Sequence, residues 1–165
     1  HGVLSIHGAE VRSGPLTQSY VMLARNLEAI VKAKPASAID QGSATFLTLP
    51  PQQVSYRMVQ NRVYHQNLVV QSGDVRAITS GWVDANQQMQ LTASIPIQDN
   101  WIEKAPWLAS MRGTALTVPI SGTLQKPQLD SRMLEQLSRG MIDNAARGAL
   151  QEGINRGLQE LFGPR

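Results

Sequence analysis

His1, His7 and His65 are the chain's three imidazoles, and cysteine is absent from its 165 residues. Thiol nucleophiles, disulfides and cysteine-based zinc sites are therefore excluded. Acyl transfer through a serine needs that hydroxyl on a sharp turn with a histidine and a carboxylate in reach, and no G-x-S-x-G elbow occurs. An H-E-x-x-H zinc pattern is also missing. Phosphate-cradling loops need closely spaced glycines between a strand and a helix, but neither G-x-G-x-x-G nor a Walker sequence is present. The carboxylates Glu10, Glu28, Asp40, Asp74, Asp84, Asp99, Glu103 and Asp130 are spread along the chain, so a catalytic pair would have to be assembled by folding. His65 lies in an alternating stretch and reads as a half-buried polar side chain. The expectation is a protein that is not an enzyme, with no catalytic residue, metal or cofactor.

Charge narrows the partners. Fifteen basic and twelve acidic residues leave a net +3, no stretch clusters Lys and Arg with aromatics, and three Tyr, three Trp and two Phe give few stacking platforms. Nucleic acid is not an expected partner. Hydrophobic residues make up 42% and charged residues 16%, enough apolar side chain for a globular core. The apolar runs fall far short of the roughly 18–20 residues that span a bilayer. The length suits a single domain over 1–165. The opening on His1, with no signal-like segment, reads as a piece of a longer protein.

The elements that would position any site follow from periodicity. Val3 to His7 reads as a short strand ended by Gly8. Pro15 suits a first helical turn, and Leu16, Tyr20, Leu23, Leu27, Ile30 and Val31 recur at spacings of three and four, which predicts an amphipathic helix. Lys32 and Lys34 oppose its dipole, and Pro35 forbids continuation. From Gly42 to Leu124 the pattern becomes alternation. Ala44–Leu49 and Val54–Met58 read as two antiparallel strands around Pro50-Pro51. Further runs follow at Val63–Gln71, Val75–Asp84 and Met89–Ile97, with turns at Asn61-Arg62, Ser72-Gly73-Asp74 and Ala85-Asn86-Gln87. A short helix fits Ile102–Met111 before Leu116, Val118, Ile120 and Leu124 resume the alternation. Half-polar strands imply one buried face and one hydrated face. A last helix begins near Ser131, and its apolar stripe shifts partway along, which predicts a kink at Gly148 or Gly153. Gly153 and Gly157 match a small-x-x-x-small contact motif, read as soluble helix packing because Arg156 lies between them. Arg139, Arg147 and Arg156 read as solvated helix charges, with anionic headgroups the alternative. The expected fold is α+β: a twisted antiparallel β-meander with an amphipathic helix near the N-terminus and a kinked C-terminal helix packed on the apolar face.

Three runs carry a family resemblance: Tyr64–Val70, Ile78–Asp84 and Met89–Ile97. Val118-Pro119-Ile120-Ser121-Gly122-Thr123-Leu124-Gln125-Lys126-Pro127 carries it more sharply, as a Pro-x-x-Gly-Thr-Leu-x-x-Pro phrase leading into a final helix. Together they resemble the C-terminal region of AsmA-like (AsmA/TamB-type) bacterial envelope proteins. The resemblance covers roughly the last two thirds of the chain, and more loosely Gly2 to Arg12. It implies the C-terminal module of a periplasmic parent anchored in the inner membrane and engaged in lipid transport or outer-membrane biogenesis. Phospholipid acyl chains, the preceding β-repeats of the parent, and a membrane or envelope protein are the implied partners.

Beside the resemblance stands a physical argument about one sheet face. Met58, Leu68, Val70, Met89, Leu91, Ile95, Leu116, Val118 and Ile120 would share it, and helices, a partner or lipid must cover it. These nine are the candidate lipid-groove residues. Two alternatives follow: an open groove that handles acyl chains, or a face sealed by the chain's own helices in a docking or capping module that binds a protein partner without lipid.

Overall fold

A computed structural model describes residues 1–12, 14–32 and 46–130, with positions 132, 135, 136 and 139. The kinked helix expected through Gly148 and Gly153, and Arg147 and Arg156, lie outside the described residues. The elements run β1 (Gly2–Ile6), β2 (Ala9–Val11), α1 (Pro15–Lys32), β3 (Leu47–Leu49), β4 (Gln52–Val59), β5 (Arg62–Ser72), β6 (Val75–Asp84) and β7 (Met89–Pro96). After β7 come α2 (Asp99–Lys104), a 3₁₀ turn (Pro106–Met111), β8 (Ala115–Thr123) and β9 (Lys126–Leu129). The nine described strands form one antiparallel sheet of order β1-β4-β5-β6-β7-β8-β9, with β2 on β3 and β3 touching β5. The α+β class and the meander from β4 to β9 follow the alternation in the sequence.

Pro50-Pro51 behaves differently from the expectation of a turn between two paired strands. β3 and β4 run in line, and both pair antiparallel with the β1–β2 segment in one unbroken register, Gly2 opposite Tyr56 through Val11 opposite Leu47. Proline has no N–H to give to a ladder, so the two prolines interrupt pairing without reversing the chain. A side chain repairs the gap toward β5. Gln52 Nε2–H donates to the Val69 carbonyl (2.8 Å) and to the Pro50 carbonyl (3.2 Å), and Val69 N–H donates to Gln52 Oε1 (2.7 Å). The Gln52 amide thus stands in for a peptide group of the missing ladder rung. The first tight turn of the meander sits at Gln60-Asn61, one residue earlier than expected, with φ of 47° and 64°. Two positive φ values in succession suit a hairpin turn twisted like its strands.

β5 is bulged between His65 and Leu68, where its register against β6 shifts. Asn67 takes φ 58°, and its N–H donates to Ser80 Oγ at 3.1 Å. The bulge lets both halves of β5 keep apolar side chains on one face.

α1 lies on that face, packing on β3, β5, β6, β9 and α2. Its stripe of Tyr20, Leu23, Ala24, Leu27, Ile30 and Val31 is buried, as the spacing requires. Glu28 and Lys32 form an i,i+4 ion pair in its last turns. α2 and the 3₁₀ turn add Trp101, Ile102 and Leu108 to the same core.

Candidate functional site: the inner face of the sheet

Register and pleat fix which side chains share the helix-covered face. Paired residues in neighbouring strands point the same way, and each strand alternates. Met89, Leu91, Ala93, Ile95 and Ile97 are all buried, as are Leu116, Val118 and Ile120 opposite them. Seven of the nine sequence-predicted residues, Val70, Met89, Leu91, Ile95, Leu116, Val118 and Ile120, are no more than 7% exposed. Leu68 is partly buried and packs against that cluster. Met58 is 66% exposed and stands apart from the buried set.

Met58 nevertheless belongs to the same face. It pairs with Val63, Val63 with Val83, and Val83 with Met89, giving one apolar row across four strands. Exposure falls along it from Met58 through Val63 at 39% to Met89 at 3%. The neighbouring rows open at the same corner. Leu4, opposite buried Val54, is 54% exposed, and Tyr56 is 40% exposed. Tyr56 lies across Gly2, where an added Cβ would sit 2.8 Å from the ring. The inner face is thus sealed on one side and opens where β1, β4 and the start of β5 meet. Alternation already puts Tyr56 on the side of Met58; Leu4 and Val63 join them only through pairing across β1, β4 and β5, which sequence reasoning missed.

His65 sits between the sealed and open parts. Its Nε2 is 3.1 Å from Thr79 Oγ1, and Thr79 Oγ1 donates to the Leu68 carbonyl at 3.2 Å. The threonine has one hydroxyl hydrogen; given to Leu68, it leaves Thr79 Oγ1 to accept from His65 Nε2–H. The neutral ring then carries its proton on Nε2. Burial lowers the His65 pKa below its ordinary 6.5, because the charged form is poorly solvated there. With the folded pKa below the unfolded one, the unfolded chain binds more protons as pH falls past 6.5. Stability conferred by this site is therefore fully present above pH 6.5 and is lost as pH falls through the folded pKa. Urea midpoints for wild type and His65→Gln, measured from pH 7.5 to 5, should converge on acidification; parallel curves would contradict the assignment.

Beneath α1, Tyr20 and Ser72 line a cavity of about 10 Å³, and among the described residues neither buried hydroxyl has a hydrogen-bond partner. Burial pushes the Tyr20 pKa upward. A buried hydroxyl without a partner costs free energy. Tyr20→Phe should leave the thermal midpoint unchanged or raise it, and a fall of several degrees would show that the hydroxyl has a role.

Among the described residues, no group of three or more His, Cys, Asp or Glu could hold a metal ion. No described helix is long and apolar enough to cross a membrane. Asp130, where β9 ends, is held at a pKa of about 2 by the side-chain hydrogen bond from Arg132, its ion-pair partner. The inner face offers burial and shape; its chemistry is that of an apolar surface with one histidine at its margin. No protein-family model matches the chain, and no curated protein or solved structure matches it.

Proposed function

We propose that the chain is a non-enzymatic envelope module that closes one end of a hydrophobic β-groove and handles acyl chains where its inner face opens. The graded row from Met89 to Met58 carries this reading: apolar side chains continue past the sealed core to an exposed corner on the same face. A hydrocarbon chain laid there would gain about 0.8 kcal/mol per buried methylene. The resemblance to AsmA-like proteins gives the setting: a periplasmic module of an inner-membrane-anchored parent acting in lipid transport or outer-membrane biogenesis. In that setting the preceding β-repeats meet β1, the edge strand adjoining the open corner.

The second reading, a docking or capping module without lipid, is favoured by the burial of seven of the nine groove candidates. An exposed sheet edge suits strand addition by a protein partner. Native mass spectrometry with lipid extraction, on protein expressed in a bacterial periplasm, separates the two. Wild type should carry phospholipid, and Met58→Asp with Val63→Asp should lose it while keeping the wild-type melt, since both positions are exposed. Lipid-free wild type under gentle conditions would overturn the acyl-chain reading and leave the capping module.

A further inference from the structure

The opposite face of the sheet carries a concavity of about 490 Å³ beside the β5 bulge, with Ser55, Arg57, Tyr64, Gln66 and Ser80 in its lining. Register places these side chains together: Ser55 opposes Gln66, and Arg57 opposes Tyr64. The Arg57 guanidinium lies over the Tyr64 ring, 4.8 Å from its centroid. Stacking fixes the plane of the guanidinium and leaves its N–H edge free to donate. Among the described residues no carboxylate pairs with Arg57, and no acidic residue lines the concavity. Ser80 Oγ accepts from Asn67 N–H, so its own hydrogen remains available as a donor. Arg62 repeats the pattern one rung away. It is directly opposite Asp84 in register, yet its guanidinium stacks 4.1 Å over Trp82. Asp84 Oδ1 is occupied by the backbone N–H groups of Asn86 and Gln88.

We infer that this concavity is an oxyanion site that takes a phosphate ester, with Arg57 as its principal ligand and Gln66 and Ser80 as neutral donors. A tetrahedral phosphate offers acceptors in several directions, which suits a guanidinium, an amide and a hydroxyl on different strands. The volume leaves room for more than a bare anion, so the ester is either a small soluble one or the headgroup of a phospholipid. Tyr56 and His65, which border the acyl-chain corner, also line the concavity, but Arg57 lies on the opposite face, so loss of binding in Arg57 variants reads this site and not the corner.

Calorimetric titration of the 165-residue chain with glycerol 3-phosphate, and co-sedimentation with phosphatidylglycerol or phosphatidylcholine vesicles, test it. Arg57→Gln and Arg57→Lys are compared with Arg76→Gln, which removes an exposed charge elsewhere on the same face. The expected result is one site weakened at least tenfold by Arg57→Gln, less by Arg57→Lys, and little by Arg76→Gln. Binding of the soluble ester identifies a free phosphate ester as ligand. Binding only to phosphatidylglycerol vesicles, with the same dependence on Arg57, identifies a headgroup. No binding in either arm, or equal losses in Arg57→Gln and Arg76→Gln, would overturn the site in favour of non-specific charge.

Discussion

Val118→Asp should unfold the domain or lower its stability by about 3–5 kcal/mol, the range for a buried charge without a partner. Val118 is 1% exposed and pairs with Ala93, which is fully buried, in the middle of the sealed face. A carboxylate there would either remain charged against apolar neighbours or take up a proton, and both routes cost stability. The same substitution at Met58 should change the urea midpoint little, because that side chain is mostly in water. Measuring both variants by urea denaturation tests the division of the face into sealed and open parts. A Val118→Asp protein with near-native stability would mean that water reaches the centre of the inner face. In that case the groove would be open along its length.

Gly81→Ala should cost about 3 kcal/mol or more, in the range reserved for special backbone positions. Gly81 has φ +147°, and an added Cβ would lie 2.2 Å from the Gln90 carbonyl oxygen and 2.7 Å from Leu91 Cα. Both obstacles are backbone atoms of β7, so no rotamer change relieves the clash. β6 and β7 would have to separate next to the β5 bulge, where Gly81 pairs with His65. Gly113→Ala is the contrast: φ is +77° and, among the described residues beyond its chain neighbours, no atom lies within 4 Å of the added Cβ. Only the backbone preference is lost there, about 1–2 kcal/mol. Hydrogen exchange along β6 and β7 should accelerate in Gly81→Ala and stay unchanged in Gly113→Ala. Equal stability losses in the two variants would show that backbone preference, and not the approach of β7, fixes the glycine at position 81.

Local pattern carried much of the fold. Pro15 and the three-and-four spacing from Leu16 to Val31 mark α1 because a helix repeats every 3.6 residues and buries one stripe. The alternation from Met89 to Ile97 marks β7 and its buried face because strand side chains alternate with period two. Pairing partners are a different matter. Nothing local distinguishes Pro50-Pro51 as a break in one long edge from a turn between two strands; the decision comes from β1 and β2 lying alongside both halves. The Gln52 amide that bridges the break acts on Val69, far along the chain, and leaves no periodic trace.

The candidate site divides in the same way. From the sequence alone follow the α+β class, the amphipathic α1 and a two-faced sheet whose apolar side includes Leu91, Val118 and Ile120. These are consequences of periodicity within short segments. The tertiary structure alone decides that α1 covers Ile95 and leaves Met58 in water, although both belong to the same face. It also decides that Arg57 lies on Tyr64 beside Ser80. Exposure and concavity depend on where a helix crosses a sheet and where a bulge bends a strand, and those distances are set by pairing between residues remote in sequence.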